Sequence, residues 1–394
     1  MDRYSSLMWL ELVFGVGGKR LWQVLSRDDD PFEVCQQVRS GDVEVLSSSE
    51  SDRASQISFE EAERLISRAQ ELGQQTVCIG DHDYPVRLAA MEDAPALIFC
   101  RGDIRLANEK TVIHIVGTRE PSKYTLSLTD VLCADLALRG FAVSCGLAEG
   151  TDTRAAEAVL AREGTLISVY PTSLENEYPK DSGDIKERLV QKGLLISEYP
   201  PEYNGRPNFR RRNKLAVALA SAVVIAEASE DSKGLDNAYR AIDTGRPVLA
   251  VPPHILYEKR YFGQRELLRK GCMPIFDGSD VVNVLAERHE ISPEGYVLKT
   301  NGQTSDRAPQ EPSGQMTDVQ KTRKAENTLK THSLNLSDEE QKLLDLLREN
   351  GAMTLDELVR KSGLPMNEVY TRLISLELLK AVVSLPGQRY ELDS

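Results

Sequence analysis

Between residues 111 and 290 short apolar runs alternate with helix-like stretches, and this alternation constrains the fold more than any other feature. Strands are expected at 111–116, 142–145, 165–169, 194–197, 222–226 and 248–251, several of them continuously apolar, as strands buried on both faces are. Helices are expected between them, at 126–139, 154–162, 185–192, 214–220 and 235–244. Such alternation predicts an α/β domain with a mostly parallel sheet. In sheets of that kind ligands bind beyond the carboxyl ends of the strands.

The flanks read differently. Residues 1–72 are expected to be helical, with Leu7, Leu10 and Val13 on one face and Leu21, Val24 and Leu25 on another. Between these faces lies a Gly-rich turn, Gly15, Gly17 and Gly18, followed by Lys19 and Arg20. It reads either as a plain helix–helix turn or as a helix-hairpin-helix (SAM-like) unit offering backbone N–H groups to a phosphate. The α/β core is bounded at 73–290 and includes a connecting region with a strand at 96–100. Residues 291–334 are polar and rich in Pro, Gly and Ser, the composition of a flexible linker. Residues 335–394 predict a winged helix. Ser337 and Glu340 form a capping box, helices follow at 354–361 and from Pro365 to 379, and strands at 381–385 and 389–392 make the wing. The third helix carries Arg372 and Lys380 against Glu368 and Glu377, a poor charge for reading a major groove.

Charge decides what kind of nucleic-acid contact is open to this chain. Its net charge is -13, which excludes a diffuse basic coat and leaves only a defined patch. One such patch exists. Arg206, Arg210, Arg211, Arg212 and Lys214 fall within nine residues with no acid among them. The run reads either as an anion site or as a solvated basic surface. The six cysteines include no CxxC pair and the five histidines no metal-binding spacing, so neither a metal nor a cofactor is expected. No Ser-His-Asp order or nucleophile elbow is present, so no catalytic residue is assigned. No apolar run approaches the length of a membrane span, and the amino-terminal stretch lacks a cleavage signal, so a cytoplasmic protein is expected.

Three loops of the core carry the site expectation. In the first, Gly117 allows close approach, Thr118 follows, and Arg119 offers a guanidinium fork. The second holds Gly146 and Gly150, with Asp152 as the expected cap of the next helix. The third is the basic run, taken as the loop before helix 214–220. It contributes Phe209, Arg210, Arg211, Arg212, Asn213 and Lys214, and Ser232 opens the following turn.

Taken in order, Gly117-Thr118-Arg119, CGLAEGTD at 145–152, NFRRRNK at 208–214, Glu227-Ala228, SKGL at 232–235 and GRPVLAVP at 245–252 resemble the DNA-processing protein A family, DprA/Smf. DYP at 83–85 and RGD at 101–103 fit the segment before that family's core. The chain departs from the family at Cys145 (Ser), Thr151 (Ile) and Pro253 (Gly), and lacks a Pro within 209–214 while gaining an Arg. The resemblance implies an extended Rossmann-like core that dimerises and binds single-stranded DNA. It implies a recombination mediator that helps load RecA onto single strands, as in natural transformation. Its phosphate pocket would map onto Arg119, Arg211, Arg212, Asn213 and Lys214 with the glycine loops around them. Phe209 either packs under the loop or stacks on a base. Two other classes remain open: a Rossmann-like nucleotide sensor or nucleotide-processing enzyme, and a winged-helix regulator of a specific duplex.

Overall fold

The computed structural model describes residues 1–26, 28, 30–43, 46–179, 183–292, 296, 337–365, 368, 369, 372, 373, 376, 381–385 and 389–392. The expected linker at 291–334, apart from 291, 292 and 296, and most of the expected third helix of the winged unit lie outside the described residues. Met1–Ser305 form one compact unit and Asp306–Ser394 a second.

The first unit opens with five helices, α1 (Arg3–Phe14), α2 (Lys19–Leu25), α3 (Pro31–Ser40), α4 (Ser48–Gln56) and α5 (Phe59–Glu71). Short polar residues start them. Asp2 accepts from the Ser5 N–H, and Ser47 with Glu50 forms a capping box. Buried Leu7, Leu10, Val13 and Leu21 join a core that also contains Leu97, Phe99 and Ile113 of the sheet. The helices therefore share one hydrophobic core with the α/β layer.

The sheet has nine strands: β1 (Gln75–Cys78), β2 (Leu97–Gly102), β3 (Val112–Val116), β4 (Ala142–Ser144), β5 (Thr165–Val169), β6 (Leu194–Ser197), β7 (Ala222–Ile225), β8 (Val248–Ala250) and β9 (Met273–Pro274). Their order is β1-β2-β6-β5-β4-β3-β7-β8-β9. The β1–β2 and β2–β6 pairs are antiparallel, and every other pair is parallel. All six strands expected in the core form. β1 and β9, short strands at the two sheet edges, were not expected. Side chains alternate between the two faces, as the pleat requires. Ile113, Ile115, Leu195, Val224 and Leu249 pack toward the face of α1–α5, while Val112, Leu194, Ile196, Val223 and Val248 pack toward the other.

The remaining helices are α6 (Val86–Ala89), α7 (Leu106–Glu109), α8 (Lys123–Leu138), α9 (Thr151–Ala161), α10 (Gly183–Lys192), α11 (Phe209–Leu219), α12 (Leu235–Asp243), α13 (Phe262–Arg269) and α14 (Gly278–Glu287). From β3 the chain winds outward through β4, β5 and β6. It then crosses back over α11 to place β7 on the other side of β3. The strand order reverses at the β3–β7 boundary, the switch point at which open α/β sheets form a ligand crevice.

α11 corrects the expected helix start at 214. Asn208 caps it, its side chain accepting from the Arg211 N–H at 3.1 Å, so the basic run forms the first turns of the helix and is not a preceding loop.

The second unit contains α15 (Asp338–Asn350), α16 (Leu355–Ser362) and a three-stranded sheet of β10 (Met353–Thr354), β11 (Val382–Leu385) and β12 (Arg389–Leu392) in the order β10-β12-β11. The Ser337–Glu340 capping box is present, and Leu343, Leu347, Leu358, Leu373 and Val382 form the core. This is the winged-helix arrangement, with β10 as a strand that was not expected.

Candidate nucleic-acid interface

A groove of about 640 Å³ opens at the switch point, within the size range of ligand pockets. It is lined by the loop after β3 (Gly117, Thr118, Arg119, Glu120), the loop after β4 and the start of α9 (Gly146, Ala148, Glu149, Asp152), the first turn of α11 (Phe209, Arg212, Asn213) and the turn before α12 (Ser232, Lys233, Gly234). The amino termini of α9, α11 and α12 converge on it. Their unsatisfied N–H groups and dipoles favour an anion.

The loops are tied to one another. Thr151 donates to the Thr118 carbonyl through both its backbone N–H, at 3.1 Å, and its hydroxyl, at 3.0 Å. Asp152 is not the cap of α9. Gly150 holds that position, and the Asp152 carboxylate accepts instead from the N–H groups of Gly146 (3.0 Å) and Ala148 (3.4 Å), folding the loop over itself. Burial raises the Asp152 carboxyl above its ordinary range, and the nearby Arg212 opposes that shift. Within the same loop Leu147 has φ 58°, a left-handed conformation that strains a non-glycine residue. Glu227, buried at the end of β7, accepts from the Ser122 N–H (3.0 Å) and the Thr125 hydroxyl (2.5 Å). It thereby fixes the start of α8 and the loop that carries Arg119.

The basic run divides by direction. Arg211 and Arg212 are equally buried, each 9% exposed, yet their surroundings are opposite. The Arg211 Nε bonds both Glu198 carboxylate oxygens at 2.8 and 3.0 Å, and its Nη atoms bond the Asp93 carboxylate and carbonyl, both at 2.8 Å. Lys214 also reaches Asp93, at 2.5 Å. A side chain at Gly17 would strike this cluster, since its Cβ would lie 2.7 Å from Glu198 and 2.9 Å from Arg211. The α1–α2 hairpin thus packs its glycine against an internal ion pair. Arg211 and Lys214 do not line the groove, and Arg210 is exposed outside it. Grouping Arg211 and Lys214 with the phosphate ligands is therefore revised, because carboxylates already hold both.

Arg212 has no carboxylate within ion-pair distance among the described residues, and its Nε is buried without a hydrogen-bond partner. It lies against Gly146, where a Cβ would fall 1.6 Å from its Nη1. Behind it, His114 sits 3.2 Å from the Ser144 hydroxyl. Burial and the Arg212 charge push the His114 pKa down to about 3, so the imidazole stays neutral beside the guanidinium at physiological pH. Across the groove mouth Phe209 is 37% exposed, its ring 5.2 Å from Tyr178 and 6.0 Å from the Arg212 guanidinium carbon. Tyr178 also stands beside Arg119. The structure thus gathers Gly117, Thr118, Arg119, Gly146, Phe209, Arg212, Asn213 and Ser232 at one groove. Gly150 lies beneath it, where its Cβ would meet the Arg119 carbonyl at 2.4 Å.

Two glycines make a paired expectation. The Cβ of Gly146→Ala would meet only side-chain ends, the Arg212 guanidinium and, at 2.8 Å, an Asp152 carboxylate oxygen, so the fold should hold better than with a backbone clash while anion affinity falls. Gly150 has φ 85°, and its Cβ would meet backbone, so Gly150→Ala should lose about 1–3 kcal/mol of stability. Thermal melting alongside anion titration checks both. Equal melting losses for the two variants would contradict this geometry.

Among the described residues no helix is long and apolar enough to cross a membrane, and no group of three His, Cys, Asp or Glu side chains could hold a metal ion.

Comparison with known proteins bears on the whole arrangement. The family model for DNA recombination-mediator protein A matches residues 75–286, and that for the DprA winged helix domain matches residues 328–388. DNA processing protein DprA of Bacillus subtilis is 30% identical over 227 residues, 57% of this chain and 76% of the relative. Protein Smf of Synechocystis is 27% identical over 351 residues, 83% of this chain and 82% of the relative. The X-ray structure of DNA processing protein A from Streptococcus pneumoniae matches with TM-score 0.61 and 25% identity, covering 72% of this chain and 98% of that one. A core model that spans more than half the chain, a matching winged-helix model and relatives aligned over as much as 83% of the chain agree: the chain belongs to the DNA recombination-mediator protein A family of DNA-processing proteins.

Proposed function

We propose that this protein is a non-catalytic mediator of DNA recombination that grips the phosphates of single-stranded DNA in the groove at the β3–β7 switch point. The observation that carries this reading is Arg212, a buried guanidinium whose Nε has no hydrogen-bond partner and which has no carboxylate within ion-pair distance among the described residues, in a groove ringed by glycine loops and helix amino termini. Arg119 at the rim supplies a second fork, and Asn213 and Ser232 supply neutral hydrogen-bonding groups. Gly117 and Gly146 leave room for the Thr151 and Arg212 side chains to pack at the groove. Phe209 offers an exposed ring on which an unpaired base stacks, and stacking of this kind tolerates any base. In keeping with the family, the bound strand is handed to RecA in the cytoplasm, and the active form is a homodimer built through the core.

The test compares oligo-dT with a duplex of equal length by fluorescence anisotropy across a salt series. Single strands should bind at least about tenfold more tightly, with little dependence on sequence. Tight binding to one duplex sequence with weak binding to oligo-dT would overturn the reading in favour of a duplex regulator.

The groove lies entirely within the first unit. A chain ending at residue 305 should therefore keep oligo-dT affinity within roughly threefold of the full protein. A larger loss would place part of the DNA site in the winged-helix unit.

A further inference from the structure

The groove uses the carboxyl-end loops of β4, β3 and β7, which are successive neighbours in the sheet. The next strand in that row is β8, and its loop lines no part of the groove. This loop presents three large apolar side chains to solvent: Ile255, Leu256 and Tyr257. Tyr257 is 85% exposed. Aromatics make up only 6% of the chain, and a ring left almost wholly in water calls for a reason.

The loop is held firmly at its base. The Tyr124 hydroxyl donates to the Pro252 carbonyl at 3.1 Å, and the Tyr124 ring stacks on His254 with centroids 4.9 Å apart. Arg265 donates to the Leu256 carbonyl at 3.0 Å. Contacts also connect the loop to the groove. The Tyr261 hydroxyl bonds the Ser122 hydroxyl at 2.9 Å, and Arg260 reaches Glu227 at 3.5 Å, the carboxylate that fixes the Arg119 loop. Arg260 also holds Glu258, at 2.7 Å. Lys123 at the start of α8, Lys233 of the β7 loop and Lys259 of the β8 loop are exposed and have no ion pair among the described residues. The exposed acids of the β3 and β7 loops are Glu120, Glu230 and Asp231.

We infer that a single strand leaving the groove runs along the carboxyl edge of the sheet and stacks an unpaired base on Tyr257, with Lys123, Lys233 and Lys259 beside its phosphates. An exposed aromatic ring on a braced loop, with unpaired cations on the same edge, is the combination by which proteins track single strands without reading sequence. The inference rests on the groove being the primary single-strand site.

The test uses the full chain and oligo-dT of two lengths: about 5 nucleotides, enough for the groove alone, and about 15, enough to reach the β8 loop. Tyr257→Ala should weaken the longer strand about 5- to 50-fold and leave the shorter one unchanged. Tyr257→Phe should restore binding, since stacking needs only the ring. Lys259→Ala should flatten the salt dependence for the longer strand alone. Equal effects of Tyr257→Ala on both lengths, or none on either, would overturn the platform while leaving the groove intact. A change in the solution mass of Tyr257→Ala, measured by light scattering, would assign the tip to a contact with a second copy and would also overturn it. Failure of the wild-type protein to bind the shorter strand would remove the groove reading, and this inference with it.

Discussion

Arg211→Met is expected to destabilise the first unit by about 3–5 kcal/mol, because it breaks a buried ion network from one side. Met keeps most of the side-chain volume, so the loss reports charge and hydrogen bonds and not a cavity. Four hydrogen bonds disappear, two to Glu198 and two to Asp93. Two largely buried carboxylates remain, and Lys214 can serve only Asp93. Glu11 of α1 adds a third acid, accepting from the Leu97 N–H at 3.4 Å. Burial already raises the carboxyls of Glu11 and Glu198 above their ordinary range, and Arg211 opposes the rise for both. Without Arg211 both folded-state values move further up. A carboxyl whose folded pKa lies above its unfolded value contributes stability at low pH that is lost as pH rises through the folded value. The deficit of Arg211→Met should therefore be larger at pH 8 than at pH 5. Urea melts at the two pH values check this. A deficit below about 1 kcal/mol, or one that grows toward acid, would show that the network is not a structural clamp.

Arg212→Ala should do the reverse. Its guanidinium has no ion-pair partner within bonding distance among the described residues, so its loss breaks no salt bridge, although buried Asp152 loses the nearby charge that opposes the rise of its carboxyl. Asp152 keeps its two backbone hydrogen bonds. Melting should shift by less than about 1 kcal/mol. Affinity for oligo-dT should fall by one to two orders of magnitude, roughly the worth of a charge-assisted hydrogen bond to phosphate. The same variant removes the tightest contact at Gly146 and leaves only the Asp152 carboxylate oxygen at 2.8 Å, so Gly146→Ala added to Arg212→Ala should cost less than the two changes summed.

The contrast between these neighbours shows where sequence reading reaches its limit. The six core strands are legible because a buried parallel strand needs an unbroken apolar run, and such runs are local. The three glycine-bearing loops follow from the strands, because a parallel sheet places every carboxyl-end loop on one edge. The start of α11 is not legible in the same way. Its first turns are polar, so apolar periodicity begins only at Leu215. Once 210–214 are helical, successive side chains point about 100° apart. Arg211 and Arg212 must then face different surroundings, and no local signal says which meets an acid. The deciding acids, Asp93 and Glu198, stand 118 and 13 residues from Arg211. Tyr178 and Glu227 reach the site by the same long-range route. Glu227 directly follows the apolar run 222–226 in the sequence, but its partners, Ser122 and Thr125, are supplied by the fold.

The measurement that tests the central claim most directly is the slope of log affinity against log salt for oligo-dT, taken for the wild type, Arg212→Ala and Arg211→Met at a temperature where all three are folded. Each phosphate contact to a single strand contributes roughly -0.7 to that slope. Arg212→Ala is predicted to flatten it by about 0.7, and Arg211→Met to leave it unchanged. A slope that survives the loss of Arg212, or that flattens equally with the loss of Arg211, would contradict the assignment of the groove as the phosphate site.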